Sequence, residues 1–248
     1  MDNSIVYWLD GMDRQLMLIL NYDGGVVQDW CWQTCSSRLI WVLPAMYFVY
    51  RLFAQQRRWA YAAVLLLGLV LAVTLCDQVS SGQIKPLVGR LRPSHAPALT
   101  GLLHLVDGYR GGLYGFVSSH AANAFGAVVY VALTLRRRRM TLAMVALALA
   151  VSYSRIYLGV HYPGDVLAGA LLGAVIGALT YGMALGLCWA LPRLEVRYAT
   201  LLLVGVFSMC PVHAQRGAGS TVHRVAVTCL AVSAPARQPV RSTMQVAC

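Results

Sequence analysis

Five long apolar segments, at about 36–54, 59–79, 117–135, 140–158 and 165–191, constrain this chain more than any other feature. The middle ones reach the roughly 20 residues that a helix needs to cross about 30 Å of hydrocarbon. A sixth segment, 198–213, is shorter and carries Pro211. Only 12% of the residues are charged against 58% hydrophobic, where soluble domains carry roughly a quarter charged. The expected fold is therefore all-α: a polytopic membrane protein of about six transmembrane helices in one domain. Residues 5–21 are apolar but broken by Asp10, Asp13 and Arg14, which suits an N-terminal helix lying at the membrane interface. Asp2 and the lack of a basic start argue against a cleaved leader, so the first span is expected to serve as the targeting signal.

Charge sets the expected orientation. Arg51, Arg57 and Arg58 follow the first span, Arg136 to Arg139 the third, and Arg193 and Arg197 the fifth. These connections share one side if the spans alternate, and the positive-inside rule makes that side cytoplasmic. Connections 80–116 and 159–164 then face outward. Arg90, Arg92 and Arg110 run against the rule there, a cost that a functional role would explain. The net charge of +11 does not point to nucleic acid, because the arginines sit in short clusters between apolar runs rather than on a polar domain. Seven cysteines with no zinc spacing are expected as free thiols in or near apolar helices. Residues 214–248 are rich in Arg, Ser, Gly and Pro and are expected to form a weakly ordered tail to the 1–213 domain.

The outward connections carry three clusters. The first holds Lys85, Arg90, Arg92 and Pro93; Lys85 is the one lysine among 20 cationic residues. Three cations within eight residues suit a phosphate, Arg as a planar fork and Lys as a point charge. The second is Val117-Ser118-Ser119-His120 at the start of a span, where capping serines and free N–H groups make an anion site or simply a capping turn. The third runs from Ser154-Arg155 to His161-Tyr162-Pro163-Gly164-Asp165. Its turn can fold the carboxylate back onto the imidazole, fixing the tautomer and leaving the other nitrogen as nucleophile or base. Asp165 is equally placed to cap the helix that follows. Arg155, inside an apolar segment, is costly unless it meets an anion.

These residues resemble the type 2 phosphatidic acid phosphatase family, which shares its site with the vanadium haloperoxidases. Lys85 to Arg92-Pro93 matches K-x6-R-P. Ser154-Arg155, His161 and Asp165 match S-R-x5-H-x3-D. The middle motif, P-S-G-H, is kept at Ser118 and His120, with Val117 for the proline and Ser119 for the glycine. The Ser119 substitution restricts φ and puts an oxygen contact from that amide in question. The resemblance, covering about 36–191, implies that His161 attacks phosphorus, Asp165 orients it and His120 protonates the leaving oxygen. Lys85, Arg92, Ser118, Ser119 and Arg155 would bind the phosphate, with no metal and no cofactor. His95 and His104 match no family position and are expected to be ordinary loop histidines.

The implied activity is hydrolysis of an amphiphilic lipid phosphate or diphosphate through a phosphohistidine. Candidate substrates are undecaprenyl diphosphate, a lipid A phosphate, phosphatidic acid and phosphatidylglycerol phosphate. The expected setting is a bacterial inner membrane with the site facing the periplasm. The alternatives are a lipid phosphotransferase using the same site, a glucose-6-phosphatase-like enzyme on a soluble sugar phosphate, a haloperoxidase, and a non-catalytic scaffold or transporter.

Overall fold

A computed structural model describes residues 4–55 and 59–208. By packing, the chain divides into Met1–Leu202 and Leu203–Cys248, and the site lies in the first unit. The helices are α1 (Ser4–Leu20), α2 (Gly25–Cys35), α3 (Val42–Gln55), α4 (Trp59–Asp77), α5 (Lys85–Val88), α6 (Ser119–Leu135), α7 (Arg138–Tyr157) and α8 (Pro163–Ser208). No strand occurs among the described residues. Among the described residues three stretches are long and apolar enough to cross a membrane: Trp59–Val88, Arg138–Tyr157 and Pro163–Leu191. The helix α6 is shorter at 17 residues, and so is α3 at 14, led in by a tight turn at Arg38–Trp41. The sixth expected segment runs on within α8 to Ser208, and 209–213 and the 214–248 tail lie outside the described residues.

Helix α6 is the hub. Gly169, Gly173 and Gly177 repeat every fourth residue along α8, and a Cβ on any of them would collide with the carbonyl oxygens of Ser118, Ala122 or Gly126. Small residues at this spacing let two backbones touch inside a bilayer, where hydrophobicity offers no drive for helices to associate. On its other side α6 buries Tyr130, whose hydroxyl donates to the Leu65 carbonyl of α4 at 2.7 Å. Phe48, Leu52, Leu65, Val128 and Met144 fill the space around that ring.

Two departures from the sequence expectation matter for the site. The span expected to end near 79 continues to Val88 through a widened π-helical stretch, Gln78–Ile84, a distortion common at functional sites. Lys85 is therefore held on a helix rather than in a loop. That helix stops at Gly89, whose φ of 63° is left-handed and open to glycine without strain. Residues 25–35 carry no clear pattern, yet they form α2, with both Cys31 and Cys35 free.

At the site end, α1 docks through Met17 against Leu99, Ala121, Ile156, Tyr162 and Val166. Asn21, just past α1, locks this end: its amide donates to the carbonyls of Tyr157 at 2.6 Å and His104 at 3.0 Å.

Candidate active site

The two connections expected on one face do meet. The Ser118 amide donates to the Asp165 carbonyl at 3.0 Å, joining the start of α6 to the start of α8. Gly115 N–H donates to the Arg90 carbonyl at 2.8 Å, and Arg92 N–H to the Leu113 carbonyl at 3.0 Å. These bonds fold 89–118 back on itself under the ends of α5, α6, α7 and α8.

His161, 1% exposed, stands in the α7–α8 connection with Asp165, fully buried, one helical turn on. Its Nδ1 lies 3.6 Å from Asp165 Oδ2, longer than a hydrogen bond, and has no other partner among the described residues. The same carboxylate oxygen accepts the Tyr162 N–H at 3.1 Å. This is the backward half of a capping box, made possible by Pro163 and Gly164 in the first turn of α8. The two roles expected for Asp165, capping α8 and facing the imidazole, are thus geometrically compatible. Burial, then the charges of Arg92, Arg155 and Lys85, holds the His161 pKa well below the ordinary histidine range. That direction favours the neutral ring that a nucleophile must be.

The cations converge from separate elements. Lys85 Nζ donates to Ser119 Oγ at 2.6 Å, and Ser119 Oγ shares a further 2.7 Å bond with Ser81. Arg92, buried, is aimed by a 3.1 Å bond from its Nε to the Tyr114 carbonyl. Arg155, 3% exposed, donates from Nη1 to Ser36 Oγ and from Nη2 to the Tyr109 hydroxyl at 3.4 Å. Among the described residues none of these three cations has a carboxylate within ion-pairing distance. Buried charges are normally paired, so this side of the site is built for an anion from outside. Ser118 Oγ and Arg155 Nε are buried with no partner among the described residues, two more donors of the kind a ligand satisfies.

Ser118 occupies the N-cap of α6, but its hydroxyl caps nothing. Ser119, in the first turn of α6, is spent on Lys85 and Ser81, and its helical backbone shows that the chain does not need glycine there. His120 is exposed on α6, within the electrostatic field of Arg155, His161, Lys85 and Arg92. It opens onto a cavity of about 600 Å³ between α3, α4, α6 and α7. Ser36, Asp77 and Asn123 ring the polar part of that cavity, and Phe48, Leu69 and Val131 its apolar part.

Several residues at this end carry no motif. Arg90 is bound by Asp165 and by Asp10 and Asp13 of α1. The sequence holds two signals for it: an arginine on the side where the rule disfavours one, and acidic residues three apart on an otherwise apolar helix. His104 donates from Nε2 to Asp29 Oδ1 at 2.8 Å, and the Tyr157 hydroxyl donates to the same oxygen. This is a hydrogen-bonded tie between α2 and α7. His95 lies 3.4 Å from the Gly111 carbonyl.

Comparison with known proteins matches the stretch of chain that carries these residues. A model of the PAP2 superfamily matches residues 61–189. A lipid A 4′-phosphatase from Bacteroides thetaiotaomicron is 35% identical over 73% of this chain and 80% of its own length. A lipid A 4′-phosphatase from Porphyromonas gingivalis is 33% identical over 80% of this chain and 89% of its own. The crystal structure of a PAP2-type phosphatidylglycerolphosphate phosphatase from Bacillus subtilis superposes with a TM-score of 0.53 at 21% identity. That superposition covers 71% of this chain and 85% of the other, a likeness of fold.

Proposed function

From the premise that this chain belongs to the PAP2 superfamily and is a membrane lipid phosphate phosphatase, we propose that it removes a phosphate monoester from a glycolipid of the lipid A type. The substrate class rests on the two relatives that carry that activity in their names. It also fits the cavity beside His120, polar near the phosphate site and apolar between the helices, as a lipid with a sugar headgroup requires. The observation that carries the chemistry is a buried histidine backed by a carboxylate and faced by three cations with no carboxylate partner of their own among the described residues.

In this reading the lone pair of His161 Nε2 attacks phosphorus while the bond to the lipid oxygen breaks, and His120 gives that oxygen a proton. Lys85, Arg92 and Arg155 hold the equatorial oxygens as charge spreads over them, joined by the free Ser118 hydroxyl. Ser119 acts through Lys85 rather than on the phosphate itself. Water then attacks the phosphohistidine, giving its proton to His120; the P–N bond breaks and phosphate leaves. The arginines at the far ends of α3 and α6, and those that follow Leu191 within α8, are read as the cytoplasmic side. Since α6 runs about 25 Å from Ser119 to Leu135, the site opens on the opposite, periplasmic face of the inner membrane.

The test is phosphate release by the purified full chain in detergent micelles, with excess chelator, across a panel of substrates. The panel is a lipid A 4′-phosphate, undecaprenyl diphosphate, phosphatidic acid, phosphatidylglycerol phosphate and glucose 6-phosphate. Highest kcat/KM on the glycolipid, kept in chelator, is the expected result. Preference for glucose 6-phosphate would overturn the substrate class, transfer of phosphate to a second lipid would make the protein a phosphotransferase, and strict need for a divalent ion would overturn the mechanism.

A further inference from the structure

We infer that Arg90 is a positioning residue for the attacking histidine, and that α1, through Asp10 and Asp13, is a working part of the active site. Arg90 stands at one of the variable positions of the first motif, and α1 precedes the region matched by the family model.

The argument is geometric. Arg90 Nη1 donates to Asp165 Oδ1 at 2.7 Å. Its Nη2 bonds Asp10 Oδ1 at 2.9 Å and lies 2.8 Å from Asp13 Oδ2. The guanidinium sits 4.1 Å over the ring of Tyr162, the residue between His161 and Pro163. The second oxygen of Asp13 accepts the Gly164 N–H at 2.7 Å, so α1 supplies a carboxylate to the first turn of α8. Every contact converges on the turn that carries His161 and Asp165.

With Oδ1 taken by Arg90 and Oδ2 by the Tyr162 N–H, the Asp165 carboxylate has one orientation. That orientation turns Oδ2 toward His161 Nδ1. Charge points the same way. Arg14 and Arg90 meet three carboxylates, Asp10, Asp13 and Asp165, leaving one negative charge in excess. That excess lies behind the ring that becomes cationic as it bonds to phosphorus. Arg90, overmatched by anions, has its charge spent on carboxylates, unlike Arg92 two residues on.

This rests on His161 being the nucleophile. The test uses the full-length purified protein in micelles and four variants: Arg90→Gln, Arg90→Lys, Asp13→Asn and the double Arg90→Gln/Asp13→Asn. Steady-state kcat and KM, the single-turnover rate of phosphoenzyme formation and Tm are measured. Arg90→Gln is expected to lower kcat and phosphoenzyme formation roughly 100-fold with KM nearly unchanged, the scale for a misplaced reacting group. Arg90→Lys recovers about a tenfold share, Asp13→Asn loses about tenfold, and the double variant is no slower than Arg90→Gln, since both act through one contact network.

A lower Tm with kcat within about twofold would make the network a structural tether and overturn the proposal. A raised KM at constant kcat would put Arg90 on the substrate and overturn it as well. Asp13→Asn leaves the Arg90–Asp165 bond in place, so it decides the matter if Arg90→Gln does not fold. His161→Ala separates the two ideas: a phosphoenzyme persisting there would remove the nucleophile assignment itself, whatever Arg90 does.

Discussion

Arg90 and Arg92 leave the backbone two residues apart, yet they belong to opposite halves of the site. Behind His161, two arginines are overmatched by three carboxylates. In front of it, Lys85, Arg92 and Arg155 are steered by neutral partners: a serine hydroxyl, a backbone carbonyl, and Ser36 with Tyr109. Neutral partners aim a guanidinium without discharging it, whereas carboxylate partners spend it. A cluster of basic residues therefore says little about anion binding until its partners are known.

The sharpest way to break this comparison is to remove charge from the open half. Arg92→Gln or Arg155→Gln is expected to cost 10²–10³-fold in kcat/KM, on the scale of losing a transition-state donor, and to weaken vanadate inhibition in parallel. Arg92→Lys should not restore activity, because an ammonium cannot keep the Tyr114 contact and present a planar fork at once. Equal vanadate affinity in wild type and Arg155→Gln would show that the front half is not the anion site.

Ser119→Ala sharpens the contrast between holding and contacting. Lys85 then loses its nearest partner but keeps its charge, so a fall of about tenfold is expected, well short of losing the cation itself. A loss as large as that of Lys85→Ala would place the Ser119 hydroxyl on the phosphate instead.

The pH profile probes the same contrast more gently. Burial and three cations depress the His161 pKa, so the ring stays neutral above an acid limb lying below the ordinary histidine value of about 6.5. On the acid side, activity falls as pH drops through that lowered value. In kcat/KM, which reports free enzyme, the limb should move up in Arg155→Gln, since one repelling charge is gone. An unmoved limb would mean that another group sets it.

The smallest effect lies away from both halves. Tyr130→Phe leaves the Leu65 carbonyl without its donor and is expected to cost about 1 kcal/mol of stability, read as a lower Tm with unchanged kcat/KM.

Much of this was legible in the sequence because membranes simplify the problem. Apolar length and arginine placement mark the helices and the end at which the site forms, and the motif residues Lys85, Arg92, Arg155, His161 and Asp165 meet there. What stayed hidden depends on three-dimensional partnership. Asp10 and Asp13 looked like marks of an interfacial helix, because nothing local says that they face Arg90, about 80 positions away. Ser119 was expected at the phosphate through its backbone amide, and its motif position does not show that Lys85 and Ser81 hold its hydroxyl. Gln78–Ile84 looked like a loop, because polar residues in a π-helical stretch break the apolar run without breaking the helix.

The bond from Gly164 to Asp13 spans 151 positions, and this has a consequence for biogenesis. At 5–20 residues per second of synthesis, α1 waits on the order of ten seconds before α8 exists to receive it. Until then Asp10 and Asp13 can meet Arg90, which is made earlier, but not Gly164, and the turn carrying His161 has not been completed. Hydrolytic competence is thus timed to the end of membrane insertion, and a stalled or half-inserted chain is inert toward the phospholipids around it.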